Sequence, residues 1–117
     1  MNMMASTTHT ELSLAEEDAL ALTQSALEIS RAHEHKDDKR LAAALDRNMQ
    51  LWVGIRTLVS ASNNPLPISI KDNLIRLSSF VAQKTFDMQN GPNQKTIEAL
   101  VNTNLQIAEG LLERRGG

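Results

Sequence analysis

The stretch that decides the fold class is residues 41–59, LAAALDRNMQLWVGIRTLV. Apolar residues recur in it at alternating intervals of four and three, which is the spacing of one face of an α-helix. This apolar row consists of Leu41, Leu45, Asn48, Trp52, Ile55 and Val59. Only Asn48 in the row is polar, and Leu51 and Leu58 widen the apolar face. We therefore predict an amphipathic helix from about Asp38 to Ala61.

Three further segments carry apolar residues at the same spacing, over about residues 13–36, 68–89 and 93–113. The first row is Ala15, Ala19, Leu22, Ala26 and Ile29; the third is Ile70, Leu74, Leu77, Val81, Thr85 and Met88; the fourth is Ile97, Val101, Asn104, Ala108 and Leu111. Pro65, Pro67 and the run Asn90-Gly91-Pro92 separate the later segments, because proline cannot continue a helix and glycine suits the residue after its last turn.

The first segment begins at a capping box, Ser13 followed by Glu16. The acids at 16–18 then fall in its first turn, where the helix dipole favours negative charge. Because its row is rich in alanine, we expect this helix to bury the least area and to be the most mobile. The fourth helix has the widest apolar face, so we expect it to be central.

These segments predict an all-α fold, a small antiparallel bundle of four helices. A three-helix arrangement stays open, because the charged run from His35 to Asp38 could join the first two helices. We expect a disordered lead-in over residues 1–10, one helical-bundle domain over 11–113, and a flexible tail over 114–117.

The composition excludes or disfavours several classes of protein. The chain of 117 residues has a net charge of −2 and no cysteine, which excludes disulfides and thiolate chemistry. A direct nucleic-acid binder normally carries a basic patch, whereas the basic residues here are scattered beside acids. No apolar run reaches the roughly 20 residues needed to span a bilayer, and no signal peptide is recognisable. We expect a cytoplasmic protein without membrane insertion.

No constellation of residues points to catalysis. His33 and His35 lie two positions apart, so on a helix they point away from each other and cannot converge on one metal ion. The sequence has no glycine-rich phosphate loop and no serine in a nucleophile-elbow context. We therefore expect a protein that is not an enzyme and that has no cofactor and no metal site.

Two asparagines and the single tryptophan are the informative polar features. Asn48 and Asn104 occupy apolar rows, where a buried amide must find hydrogen-bond partners or lose roughly 1–3 kcal/mol. Each either fixes the packing of neighbouring helices or lines a groove and bonds a partner's backbone. The same two interpretations hold for Trp52, because tryptophan serves both as a core anchor and as a binding hot spot.

Several motifs together resemble the FlaF family of flagellar biosynthesis regulators. Asn48, Leu51 and Trp52 resemble its N-x-x-L-W segment, and Asn64-Pro65-Leu66-Pro67 is similar to the loop before its third helix. Further similarities are Leu74, Leu77, Ser78, Val81 and Thr85, and then Ile97, Leu100, Asn104, Ile107, Gly110 and Leu111. The resemblance covers about residues 41–112. The family usually begins with an aromatic-containing segment, and this chain has no tyrosine.

The resemblance implies an α-proteobacterial protein that binds flagellin as an export chaperone and promotes flagellin synthesis. It also implies a functional link to the regulator FlbT, which restrains translation of flagellin messenger RNA. The terminal regions of flagellin form amphipathic helices only within the filament, so before export their apolar faces are exposed and need to be bound. A small bundle can offer a groove to such a segment.

We place the groove between helices 2 and 4, with helix 1 covering it when it is empty. The candidate partner-binding residues are Asn48, Leu51, Trp52, Ile55, Asn104, Ile107 and Leu111. Two other functions stay open at this point. One is a structural or dimerisation module, and the other, which the charge distribution disfavours, is a direct RNA-binding regulator of flagellin translation. The oligomeric state does not follow from the sequence.

Overall fold

The computed structural model describes the backbone of residues 3–116 and the side chains of residues 16–113. Within this part of the chain it has four α-helices and no strand: α1 Met3–Glu34, α2 Asp38–Ser60, α3 Ile68–Asp87 and α4 Gln94–Gly116, with a short 3₁₀ turn Met88–Asn90 after α3. The predicted all-α class and the four helices are confirmed. None of the described helices is long and apolar enough to cross a membrane.

The first helix begins earlier than its capping box predicts. α1 starts at Met3, so Ser13 lies inside the helix and the predicted start there is wrong. The backbone of residues 3–10, expected to be a disordered lead-in, belongs to α1, and this segment contains no proline or glycine to stop a helix. The acids at 16–18 therefore lie well inside α1 and not in its first turn.

The last helix also extends beyond its predicted end. α4 continues to Gly116, so the backbone of residues 114–116, expected to be a flexible tail, extends the helix. Residues 1, 2 and 117 lie outside the described residues.

A tight turn separates α1 from α2 and excludes the three-helix arrangement. The Asp37 N–H donates to the Ala32 carbonyl (3.0 Å) and the Lys36 N–H donates to the His33 carbonyl (3.1 Å), the pair of bonds that defines a Schellman motif. The Asp37 carboxylate then accepts from the Arg40 N–H at 3.1 Å and caps α2. The chain thus reverses within three residues, 35–37.

Lys36 carries the strain of this turn, since its φ of 53° lies in the left-handed region that glycine adopts without penalty. We expect Lys36→Gly to raise the free energy of unfolding by about 1 kcal/mol. Urea denaturation followed by circular dichroism measures the change. Lys39→Gly is the matched control, because it places glycine inside α2, where it should lower stability. A Lys36→Gly variant no more stable than the original would contradict this account.

The helices pack in the order α4, α1, α2, α3. α1 packs extensively against both α4 and α2, α3 packs on α2, and α3 and α4 barely touch. α1 and α4 are antiparallel, because Leu22 meets Asn104 at one level and His33 meets Gln94 near the end of the bundle. The fourth side of the bundle, between α3 and α4, is consequently open.

α1 is the central helix, contrary to the expectation that it buries the least area and that α4 is central. Leu22, Ala26, Ile29 and Ala32 are all fully buried. Small side chains bring the backbone of α1 close to its neighbours, so an alanine-rich row indicates close approach and not loose packing. The other helices contribute the remainder of the core: Leu41, Ala44, Trp52, Ile55, Val59, Leu74, Val81, Ile97, Leu100 and Ala108.

Candidate functional site

The residues predicted to bind a partner fall into two groups by exposure. Asn48, Trp52 and Asn104 are 0% exposed and belong to the core. Among the others, Ile55 is buried at the edge of the core, with 8% of its surface exposed, and Leu51, Ile107 and Leu111 are partly buried. The structure therefore brings together a polar network inside the bundle and an apolar pocket at its side.

The buried polar network joins three helices. Trp52 Nε1 donates to Asn104 Oδ1 at 2.9 Å, which links α2 to α4. Asn104 Nδ2 donates both to Asn48 Oδ1 (2.7 Å) and to the backbone carbonyl of Leu22 in α1 (3.1 Å). Ser25 Oγ also donates to Asn48 Oδ1 at 2.9 Å. These bonds satisfy Asn104 and fix the relative positions of α1, α2 and α4.

Asn48 is only half satisfied, because its Nδ2 is buried without a hydrogen-bond partner. Exchanging the amide oxygen and nitrogen does not help, since the nitrogen would then face the donating Asn104 Nδ2. The network thus costs some stability at Asn48 while it specifies how the helices are aligned. All three sequence-predicted polar residues act inside the core in this structure, and their role toward a partner stays a prediction.

An apolar pocket with a volume of about 80 Å³ lies among the four helices, next to the α2–α3 loop. We call it the side pocket. All four helices and the α2–α3 loop line it, through Asp18, Ile55, Leu58, Val59, Asn64, Leu66, Leu74, Ile107 and Leu111. Three predicted residues, Ile55, Ile107 and Leu111, meet here, whereas Leu51 does not line the pocket. α1 packs against Asn104, in the place that we expected it to take when the predicted groove is empty. The groove along Trp52 and Asn104 stays a prediction.

A family model described as flagellar protein FlaF matches residues 3–111. The chain belongs to the FlaF family. The match includes α1, so it extends well beyond residues 41–112, where the motifs of the sequence resemble the family. Comparisons with curated proteins and with solved structures give no match.

Sequence reasoning did not place six residues of the side pocket of this FlaF family member at a binding site: Asp18, Leu58, Val59, Asn64, Leu66 and Leu74. Asn64 shapes the loop, because its Nδ2 donates to the Leu58 carbonyl (3.1 Å) and its Oδ1 accepts from the Leu66 N–H (3.0 Å). Leu66 thereby comes to line the pocket. A leucine held between two prolines beside an asparagine was the available signal for it.

Asp18 is the electrostatic feature of the side pocket. Burial raises the pKa of the Asp18 carboxyl above its ordinary value, and the neighbouring Glu17 carboxylate raises it further. The other lining residues carry no charge. Arg56, a basic residue on α2, donates to Ser79 of α3 and so points toward another side of the bundle. A partly buried carboxylate thus stands against an apolar surface.

Clefts larger than the side pocket lie toward the other end of the FlaF bundle. One of about 600 Å³ has charges of both signs, including Glu34, Lys36 and Asp38, and contains the 2.7 Å bond between His33 Nε2 and Gln94 Oε1. The second, of about 480 Å³, is a more open groove between α2 and α3. Within residues 16–113 no three metal-ligating side chains come together. The side pocket is the smallest of the three but the most enclosed.

Proposed function

We propose that this FlaF family member is a flagellin-binding export chaperone and a positive regulator of flagellin synthesis. The observation that supports this proposal is an apolar pocket next to the α2–α3 loop, built from residues of all four helices. Family membership supplies the link to the flagellum. We further propose that the protein works in the cytoplasm, in opposition to FlbT, without enzymatic activity or cofactor.

The physical basis of this proposal is that a groove between helices can bury the apolar face of an amphipathic segment. A terminal segment of flagellin would fold as it docks, laying aliphatic residues along the side between α3 and α4. The ordering of the segment offsets part of the binding free energy, so the complex is weaker than its contact area suggests. Such a complex suits a chaperone that must release flagellin for export.

Leu58 gives the cleanest test, because it lines the side pocket yet is 59% exposed and so contributes little to the core. We expect Leu58→Ala to weaken the binding of purified flagellin about tenfold, through loss of apolar contact at the centre of the interface. Isothermal titration calorimetry measures the affinity. The matched control is Leu20→Ala on α1, since Leu20 is 57% exposed and lies outside the pocket.

The same experiment separates the alternatives. Equal affinity of Leu58→Ala and the original chain would move the site away from the pocket, and no binding by the original chain would reject the chaperone function. The second candidate is self-association, favoured by pairs of exposed leucines seven residues apart on two helices: Leu20 and Leu27 on α1, and Leu105 and Leu112 on α4. Light scattering that reports a dimer in the original chain and a monomer in Leu20→Ala would establish it.

A further inference from the structure

No structural role in the helix explains an aspartate at position 18. It lies in the middle of α1, so it neither caps the helix nor complements its dipole. Within residues 16–113 it makes no hydrogen bond or ion pair, although apolar side chains surround it on the pocket side. A carboxylate in that position loses hydration and gains no compensating partner from the side chains of residues 16–113.

The size of the side pocket restricts what can enter it. Its volume of about 80 Å³ is well below the roughly 150 Å³ of a cavity known to hold benzene. One branched aliphatic side chain suits a space of this size better than the larger ring of an aromatic side chain. The occupant therefore presents leucine, isoleucine or valine to the pocket floor, which is formed by the buried residues Ile55, Val59 and Leu74.

We infer that the side pocket recognises a basic amphipathic helix, in which an aliphatic residue enters the pocket and a lysine or arginine one turn away pairs with Asp18. This inference rests on the proposed function and names the flagellin segment by its chemistry. Residues three or four apart share one face of a helix, so both contacts can be made at once. The charge of the occupant complements a pocket whose lining includes an acid and no base.

The test compares Asp18→Asn with Glu34→Gln, which removes the same charge from an exposed position near the other end of α1. Purified full-length chain is titrated with purified flagellin at about 0.1 M and about 1 M NaCl, where the Debye length falls from about 10 Å to about 3 Å. We expect Asp18→Asn to weaken binding about fivefold at the lower salt and by less than about twofold at the higher salt. Glu34→Gln should bind as the original chain does at both.

Folding does not confound this comparison. Because burial raises the pKa of the Asp18 carboxyl, its ionisation costs more free energy in the folded chain than in the unfolded chain, and removing the charge at neutral pH relieves that cost. A charge-reversal series adds a direct readout of pairing. Asp18→Lys should weaken binding most at the lower salt, because it places two positive charges together, and changing one basic residue in a terminal region of flagellin to glutamate should restore binding.

The outcomes show whether the pairing with Asp18 fails alone or together with the proposed binding of flagellin. If Asp18→Asn binds flagellin as tightly as the original chain while Leu58→Ala binds weakly, the pocket is the site and the pairing with a basic residue is overturned. If no glutamate variant of flagellin restores binding to Asp18→Lys, the pairing is likewise overturned. If the original chain does not bind flagellin at all, the proposed function fails and the inference fails with it.

Discussion

Replacing Trp52 by alanine is expected to lower the free energy of unfolding by about 3–5 kcal/mol, a large part of the stability of a domain of this size. Trp52 is the largest fully buried side chain, so the change leaves a cavity at the centre of the bundle. It also removes the donor to Asn104 Oδ1, which then lies buried without that bond. Urea denaturation followed by circular dichroism is the measurement.

Trp52→Phe separates the two effects. The phenyl ring fills part of the cavity but cannot donate a hydrogen bond, so we expect a smaller loss of about 1–3 kcal/mol. A loss below about 1 kcal/mol for Trp52→Ala would show that the core tolerates the cavity and would contradict the account above. Because Trp52→Ala acts on folding, its effect on flagellin binding cannot locate the site, and Leu58→Ala is the better variant for that purpose.

Asn104→Ala is expected to cost about 2–3 kcal/mol, because it leaves the Trp52 indole N–H buried without an acceptor. The bonds that Asn104 Nδ2 donates to α1 and α2 are lost as well. Asn48→Ala should cost less, since it removes an amide whose Nδ2 already has no partner. Thermal and urea denaturation of both variants give the comparison.

The double variant Trp52→Phe with Asn104→Ala tests whether these residues act as a network. Once the indole donor is gone, replacing Asn104 removes one hydrogen bond fewer. The double variant should therefore lose less stability than the sum of the losses in the two single variants. Strict additivity, or a larger cost for Asn48→Ala than for Asn104→Ala, would contradict the hydrogen-bond arrangement in the core.

The spacing of apolar residues predicted which face of each helix is buried, and it placed Asn48, Trp52 and Asn104 on those faces. It could not predict that they bond to one another, because a helical period assigns a face and does not say which residue lies opposite. The acceptor in α1 is the backbone carbonyl of Leu22, which no side-chain pattern can reveal. The choice between core and groove therefore depended on tertiary packing.

The errors have similar causes. The alanine-rich row of helix 1 predicts a small buried area, whereas small residues stabilise packing by letting helices approach closely. A helix start at Ser13 makes Asp18 part of a first turn whose acids complement the helix dipole. With α1 beginning at Met3, that explanation fails, and the position of Asp18 at an apolar pocket becomes visible only from the structure.

The pairing of the first helix with the last has a consequence for how the chain reaches its fold. The bond from Asn104 to the Leu22 carbonyl spans 82 residues, so the core of α1 stays incomplete until α4 has been synthesised. Bundles in which only neighbouring helices pack can assemble from local contacts and fold fastest. This one must close its longest loop, and a ribosome that stops before α4 releases a chain whose apolar α1 face invites aggregation.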